Sequence, residues 1–424
     1  MKLQRLVLSL SLCFVCSAWA APQDATDLPE PTLAARLIRQ SPEVAAARAQ
    51  LQAEEANRDR LDSGSHEASL RLESAKRRVT SLNQRYPEWS VNLERAFRLP
   101  GKVRIDGELG QQGVVWGQVA LGDALHESSR RLLKLWFASL RERWSVTLWQ
   151  RQADTLARQA DAVAKRVKHG DASRLEQMQA DAAAAQAKAS VRQAEGRAAM
   201  AAAELNAFYP GAAVPAGLLP AQPESISGKD WITAILEHNH ELGMAAAESR
   251  RAQLLAQRAD ADRIPDPSLG LRVGSETGGD QRIIGVSITI PLPGSARAAT
   301  SRSQQALAQV TASQEAAVRQ KVQAEAASLM AQAQAAYESW ERADAAAQQS
   351  RQAAQLTERA RTLGEADLAQ WLLAQRQAHE ADLVALLARA DARESAARLQ
   401  LDTHQLWDLD DDNPGESDAQ VGQR

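Results

Sequence analysis

Between Arg282 and Gln305 the chain changes its hydrophobic period. Ile284, Val286, Ile288 and Ile290 alternate with Gly285, Ser287 and Thr289, a two-residue period that predicts a strand with one apolar face. Pro291 and Pro293 remove amide donors and end the ladder, Gly294 permits a turn, and the alanine- and glutamine-rich run from Ala296 predicts a helix. The same alternation recurs at Ala68, Leu70 and Leu72, at Trp89, Val91, Leu93 and Phe97, and at Leu269, Leu271 and Val273. Two hairpins are therefore expected. The first has a polar loop around Val79 to Pro87 and ends at Leu99, Pro100 and Gly101, and the second turns through the glycine-rich GSETGGDQ. That loop joins two strands and precedes no helix, which argues against a phosphate site.

The helical stretches are longer. A short helix is expected over Thr32 to Arg39, and Ser41, Pro42 and Glu43 read as N-cap, first-turn proline and early acid of a second helix to about Leu61. No proline interrupts Lys102 to His169, which predicts a rod of roughly 100 Å. Gly107, Gly110, Gly113 and Gly117 punctuate its start, which fits either a closely approaching neighbour or a frayed helix. His169, Gly170 and Asp171 mark a reversal, and a return helix runs from Ala172 to about Phe208.

After a loop with Pro210, Pro215, Pro220 and Pro223 the same order begins again. WITAILEH reads as a short helix, and Asn239 to Leu242 answer Ser41 to Val44 at an offset of 198. The helix that follows, to about Arg263, is stopped by Pro265 and Pro267. Pro293 and Gly294 answer Pro100 and Gly101 at 193, and Gly364 and Glu365 answer Gly170 and Asp171 at 194. A long helix from Ala296 to Leu363 and a return ending near Trp407 complete an internal duplication. The expected organisation is a first repeat over 21–208, with a β-hairpin over 67–99 and a helical hairpin over 102–208, and a linker over 209–228. The second repeat covers 229–407, with hairpins over 267–292 and 296–407, and 408–424 form a disordered acidic tail.

Composition narrows the class. Hydrophobic residues reach 44% but aromatics only 4%, so the apolar content is mostly alanine, suited to close helix packing. Runs such as Ala345 to Ala360 fit several helical neighbours in a tube, with an ordinary coiled coil as the alternative. The net charge is −3 and no basic block is present, which argues against a nucleic-acid partner.

Lys2 and Arg5, the apolar run Leu6 to Val15 and Ala18-Trp19-Ala20 predict a signal peptide over 1–20. Cys13 and Cys16 lie within it, and Leu12 and Val15 before them do not fit a lipidation signal. No later stretch approaches the ~20 apolar residues of a spanning helix, so a membrane is entered through strands if at all. Four strands are long enough to cross, but a closed barrel needs about eight, so several copies must share one wall. The reading is an α+β membrane protein of long helical hairpins and shared strands. The alternative is a soluble periplasmic coiled-coil adaptor or scaffold.

Catalytic chemistry is not evident. His238 and His240 form the one close histidine pair, and two residues apart on a helix they do not face one ligand, so they read as helix-start residues. Nucleotide loop, nucleophile elbow and metalloprotease motifs are missing, and the reading is a non-enzyme with no cofactor and no metal ligands.

NHEL followed by a long helix and PDPSLGLRVG, then GVSITIPLPGSARA and the glycine-centred reversals, resemble the TolC-like outer-membrane efflux proteins over nearly the whole mature chain. LERAFRLPGKVR also resembles the heavy-metal efflux branch typified by CzcC. The resemblance implies a homotrimer in outer-membrane lipid, a twelve-stranded barrel and a periplasmic helical tunnel. It also implies a passive duct coupled through a periplasmic adaptor, or membrane fusion protein, to an inner-membrane pump of the RND type. Gly170, Asp171, Ala172 and Ser173, with Gly364, Glu365, Ala366 and Asp367, would form the periplasmic tip that the adaptor grips. The family narrows this tip with acidic residues of the second copy, where Gln370 and Leu373 stand here. Glu176 and Gln179 occupy the first-copy positions, making Glu176 and Gln370 the candidate constriction. Pro100, Gly101, Pro291, Pro293 and Gly294 would mark the strand-to-helix junction. Tyr86, Trp89 and Phe97 serve as interfacial aromatics for the first hairpin only.

Overall fold

The computed structural model describes residues 27–64, 66–215, 221–226, 230–407 and 409. The signal-peptide expectation over 1–20 and nearly all of the expected tail lie outside the described residues. In order the elements are α1 (Pro31–Arg39), α2 (Pro42–Ser63), β1 (Ser69–Val79), β2 (Gln84–Ala96), α3 (Pro100–Lys168) and α4 (Arg174–Phe208). Then follow α5 (Trp231–Glu237), α6 (His240–Ala261), β3 (Ser268–Glu276), β4 (Gln281–Thr289), α7 (Ser295–Thr362) and α8 (Leu368–Asp402). The two halves repeat one order of elements, and the four strands form a single antiparallel sheet in the order β1-β2-β3-β4. No helix among the described residues is long and apolar enough to cross a membrane.

Local chemistry sets the helix starts. The Ser41 hydroxyl accepts from the Val44 amide at 3.4 Å, and Asn239 Oδ1 accepts from the Leu242 amide at 2.8 Å, so the matched positions of the two halves are both N-caps. The glycines of α3 form a face for α2. A Cβ at Gly110 would lie 2.9 Å from Arg58 Cα, and one at Gly117 3.2 Å from Leu51 Cα. The close-neighbour reading of this glycine row is therefore correct, and α3 does not fray there.

Several expected boundaries change. The first hairpin turns at Thr80–Asn83 rather than through Val79 to Pro87, because charge does not stop a strand that stands clear of the core. Arg77 pairs across the ladder with Glu88 at 2.8 Å, and Pro87 is tolerated because β2 there projects beyond its pairing with β3. The second loop shortens to a single turn at Thr277–Gly279. Pro100 begins α3 rather than ending the hairpin, since its missing amide costs nothing in a first helical turn. The last helix ends at Asp402, before the expected Trp407, because His404 turns left-handed at φ 57°.

A principal core lies midway along α3, where Leu132, Leu133, Trp136, Phe137 and Leu140 pack against α1, the end of α4 and the end of α8. The Trp136 indole donates to the Asp27 carbonyl at 2.9 Å, and Arg393 grips the buried Asp27 carboxylate at 2.9 and 2.8 Å. Away from this core the hairpins pack through alanine seams. Ala180, Ala187 and Ala194 of α4, and Trp371, Ala378, Ala385 and Ala392 of α8, are buried at seven-residue intervals. That spacing is a coiled-coil seam within each hairpin, the arrangement held above as the alternative to multi-helix packing.

Candidate functional site

Four regions carry chemistry. In the sheet, cross-strand partners point to the same face. Leu70, Leu93, Leu271 and Val286 form one apolar row across all four strands, and Leu72, Val91, Val273 and Ile284 form the next. Between them runs Arg71, Asn92, Arg272 and Gly285 on the other face. Leu72, Ile284 and Val286 remain 70%, 78% and 72% exposed, and β1 and β4 are unpaired edges. Apolar area of this kind demands a cover, and open strand edges demand partners.

At the junction between sheet and helices, two of the sequence motifs meet. Asp266 of PDPSLG accepts from the Leu99 amide at 3.2 Å, from Lys102 Nζ at 2.9 Å and from His66 at 3.0 Å. Lys102 is 2% exposed and also reaches Asp262 at 3.0 Å. Arg98 donates to Asp106 at 2.8 Å and to the Leu61 carbonyl at 2.6 Å, and Arg258 donates to the other oxygen of Asp106 at 2.6 Å. Burial opposes ionisation of Asp262 and Asp266. Hydrogen bonds from Arg258 and Lys102 to the first, and from His66, Lys102 and the Leu99 amide to the second, outweigh it and hold both carboxyls below their ordinary range. Pro100 and Gly101 sit beside this network, whereas Pro291, Pro293 and Gly294 form an exposed extended link between β4 and α7. Sequence reading singled out the prolines and missed the ions, whose signal was the charged residues inside the motifs themselves.

At the far end both reversals have one construction. Gly170 and Gly364 adopt φ 83° and 81°, with amide bonds closing back onto Val167 and Arg361. The next amides, of Asp171 and Glu365, reach Arg166 and Ala360, each at 2.8 Å. This is the Schellman motif, in which glycine carries the left-handed residue without penalty. Ser173 and Asp367 then start α4 and α8 with capping boxes. Glu176 and Gln370, the candidate constriction pair, are the third-residue partners in these boxes, accepting from the Ser173 amide at 2.8 Å and the Asp367 amide at 3.3 Å. Ala172 packs into the same apolar cluster as Leu368 and Trp371, so the two reversals share one end of the molecule. Gln179 and Leu373 line a nearby cavity between the hairpins, together with Trp149 and His379.

The fourth region was not anticipated. His126 of α3, His240 at the start of α6 and His404 after α8 converge, with one ring nitrogen from each within 4.8 Å of the others. His238 stacks on His404 with ring centroids 5.0 Å apart. The sequence reading placed His238 and His240 together at a helix start; here His238 ends α5 and His240 begins α6, and only the packed helices bring His240 against two distant rings.

No protein-family model matches the chain. No curated relative matches it. Solved structures do. A CusC structure, studied for folding and transmembrane channel formation, superposes with a TM-score of 0.73 at 14% identity, over 88% of this chain and 91% of that one. The outer-membrane protein VceC of Vibrio cholerae gives 0.70 at 18%, over 89% and 95%. The open state of the MtrE outer-membrane channel of Neisseria gonorrhoeae gives 0.70 at 17%, over 88% and 88%. The chain has the outer-membrane channel fold. Within that fold the strand sheet and the reversals are the two extremities, and the histidines lie on the intervening helical body.

Proposed function

We propose that this protein is the outer-membrane channel component of a tripartite efflux system, a passive duct rather than an enzyme. Three chains would each lend four strands to a twelve-stranded barrel in the outer membrane, with the helical hairpins forming a tunnel in the periplasm. The observation that carries this reading is the sheet. Its apolar rows are exposed and its edges open, which one chain in water does not tolerate and a shared barrel in lipid requires. The same exposure disfavours the soluble adaptor or scaffold. The reversals at Gly170–Ser173 and Gly364–Asp367 would meet a periplasmic adaptor, which couples the duct to an inner-membrane pump of the RND class. Heavy-metal cations are the proposed cargo, supported by the similarity of LERAFRLPGKVR to that branch.

The test uses the full chain extracted in detergent. A trimer by light scattering and discrete conductance steps in a planar bilayer are expected, and a monomer in the soluble periplasmic fraction would overturn the reading. The faces are tested separately. Ile288→Arg should block membrane assembly, at a cost of about 2–4 kcal/mol for a charge on the lipid side, while Thr289→Arg should assemble and change conductance. Equal assembly of the two variants contradicts the face assignment.

A further inference from the structure

We propose that His126, His240 and His404 bind one divalent first-row transition-metal ion, of the zinc, copper, nickel or cobalt class. This does not rest on the channel reading, because the three imidazoles converge within a single chain. The three ring nitrogens lie within 4.8 Å of one another, whereas ligands around a common zinc ion stand ~3.3 Å apart. Side-chain rotation of the three rings would close that gap. Imidazole favours these metals over magnesium or calcium, which take oxygen ligands.

Three details of the surroundings fit a ligand site better than ordinary packing. His126 turns Nε2 to Asp402 Oδ1 at 3.0 Å. With its N–H donated there, Nδ1 carries the lone pair for a metal, and the carboxylate fixes both tautomer and ring orientation. Asp402 is itself held by Arg130 and Arg398, each at 2.9 Å, so its position is not free to drift. His240 lies against Gly122, where a Cβ would come within 2.8 Å of the ring, so a side chain at residue 122 would push this imidazole from its place.

The backbone of His404 is the third detail. The end of α8 repeats the Schellman motif of the two reversals, with the His404 amide bonded to Leu401 at 3.0 Å and the Gln405 amide to Gln400 at 2.8 Å. The left-handed position taken by Gly170 and Gly364 is here a histidine at φ 57°. A residue that strains the turn stands where its ring joins the cluster. A cavity of about 330 Å³ lined by Asp123, Glu127, Glu241 and Asp402 opens beside His126 and His240. It offers a cation an acidic approach and room for a water as fourth ligand.

The test is metal titration of the full chain in detergent, with Zn²⁺ followed calorimetrically, Cu²⁺ by electron paramagnetic resonance and Mg²⁺ as control. One Zn²⁺ per chain and nitrogen hyperfine structure on Cu²⁺ are expected, with no Mg²⁺ binding. His240→Ala and His404→Gly should each weaken Zn²⁺ about a hundredfold, and Asp402→Asn about tenfold. His238→Ala, which removes the ring outside the trio, should change nothing. His404→Gly also relieves the left-handed turn, so its metal-free form should melt higher than the parent while losing the Zn²⁺-induced rise, an outcome that misfolding cannot mimic. Unchanged Zn²⁺ affinity in His404→Gly, an equal loss in His238→Ala, or Mg²⁺ binding of similar strength would each overturn the proposal.

Discussion

The helices α3 and α7 occupy matching places in the two halves and differ by one residue in length, 69 against 68, yet they do different work. α3 runs through the interior. Its middle third buries Leu132, Leu133, Trp136, Phe137 and Leu140 against three other elements. α7 buries Ser301, Val322 and a ladder of alanines at 326, 333, 347 and 354, and leaves its other faces open. Duplication supplied two rods of one length. Substitution then made one the spine of the subunit and left the other a wall whose small side chains suit a neighbouring helix at close range.

Four measurements bear on that asymmetry. The largest effect is expected from Trp136→Ala, which deletes a fully buried ring and its bond to Asp27 and should cost about 3–5 kcal/mol in urea unfolding. Met330, at the matching place in α7, is half-buried, and Met330→Ala should cost roughly 1 kcal/mol, so equal losses would break the comparison. Next, Lys102→Met should cost about 3 kcal/mol by leaving Asp262 and Asp266 without their shared cation, whereas Ser295→Ala at the corresponding start of α7 should be nearly silent.

The third is a pH effect. Burial against Trp149 lowers the His379 pKa to about 4 from the usual 6.5. The unfolded chain therefore binds a proton that the folded chain refuses between these values. Stability is full above pH 6.5 and falls by about 3 kcal/mol as the pH drops toward 4. His379→Leu should flatten that slope, and no such slope is expected from the first copy, where Ala185 holds the matching place. The smallest effects come where the halves agree. Gly170→Ala and Gly364→Ala should each cost about 1 kcal/mol by placing a Cβ at positive φ, and unequal costs would show that the two ends of the hairpins differ.

Much of the fold could be read from local pattern. The strand alternation at Ile284 to Ile288, the caps at Ser41 and Asn239 and the reversals at Gly170 and Gly364 are all short-range signals, and each lies where the pattern put it. The first hairpin was cut short because Gln84, Arg85 and Pro87 look like loop residues when their cross-strand partners are unknown. The chemistry was hidden for a related reason. Lys102 and Asp266 are 164 positions apart, and His126 and His404 are 278 apart, so only the packed helices bring them together. The glycine row of α3 was visible, but its companion Gly122 carries meaning only once His240 is seen against it.

The buried ion network at the head of α3 has a mechanical consequence. Lys102, Arg98 and Arg258 tie the helix start to the strand ends and to the close of α6, so this end of the rod is clamped. A rod of roughly 100 Å is a lever, and a tilt of about 5° displaces its far end by about 9 Å. A shift of several ångströms at the glycine reversals therefore needs only a small change of angle beside the sheet.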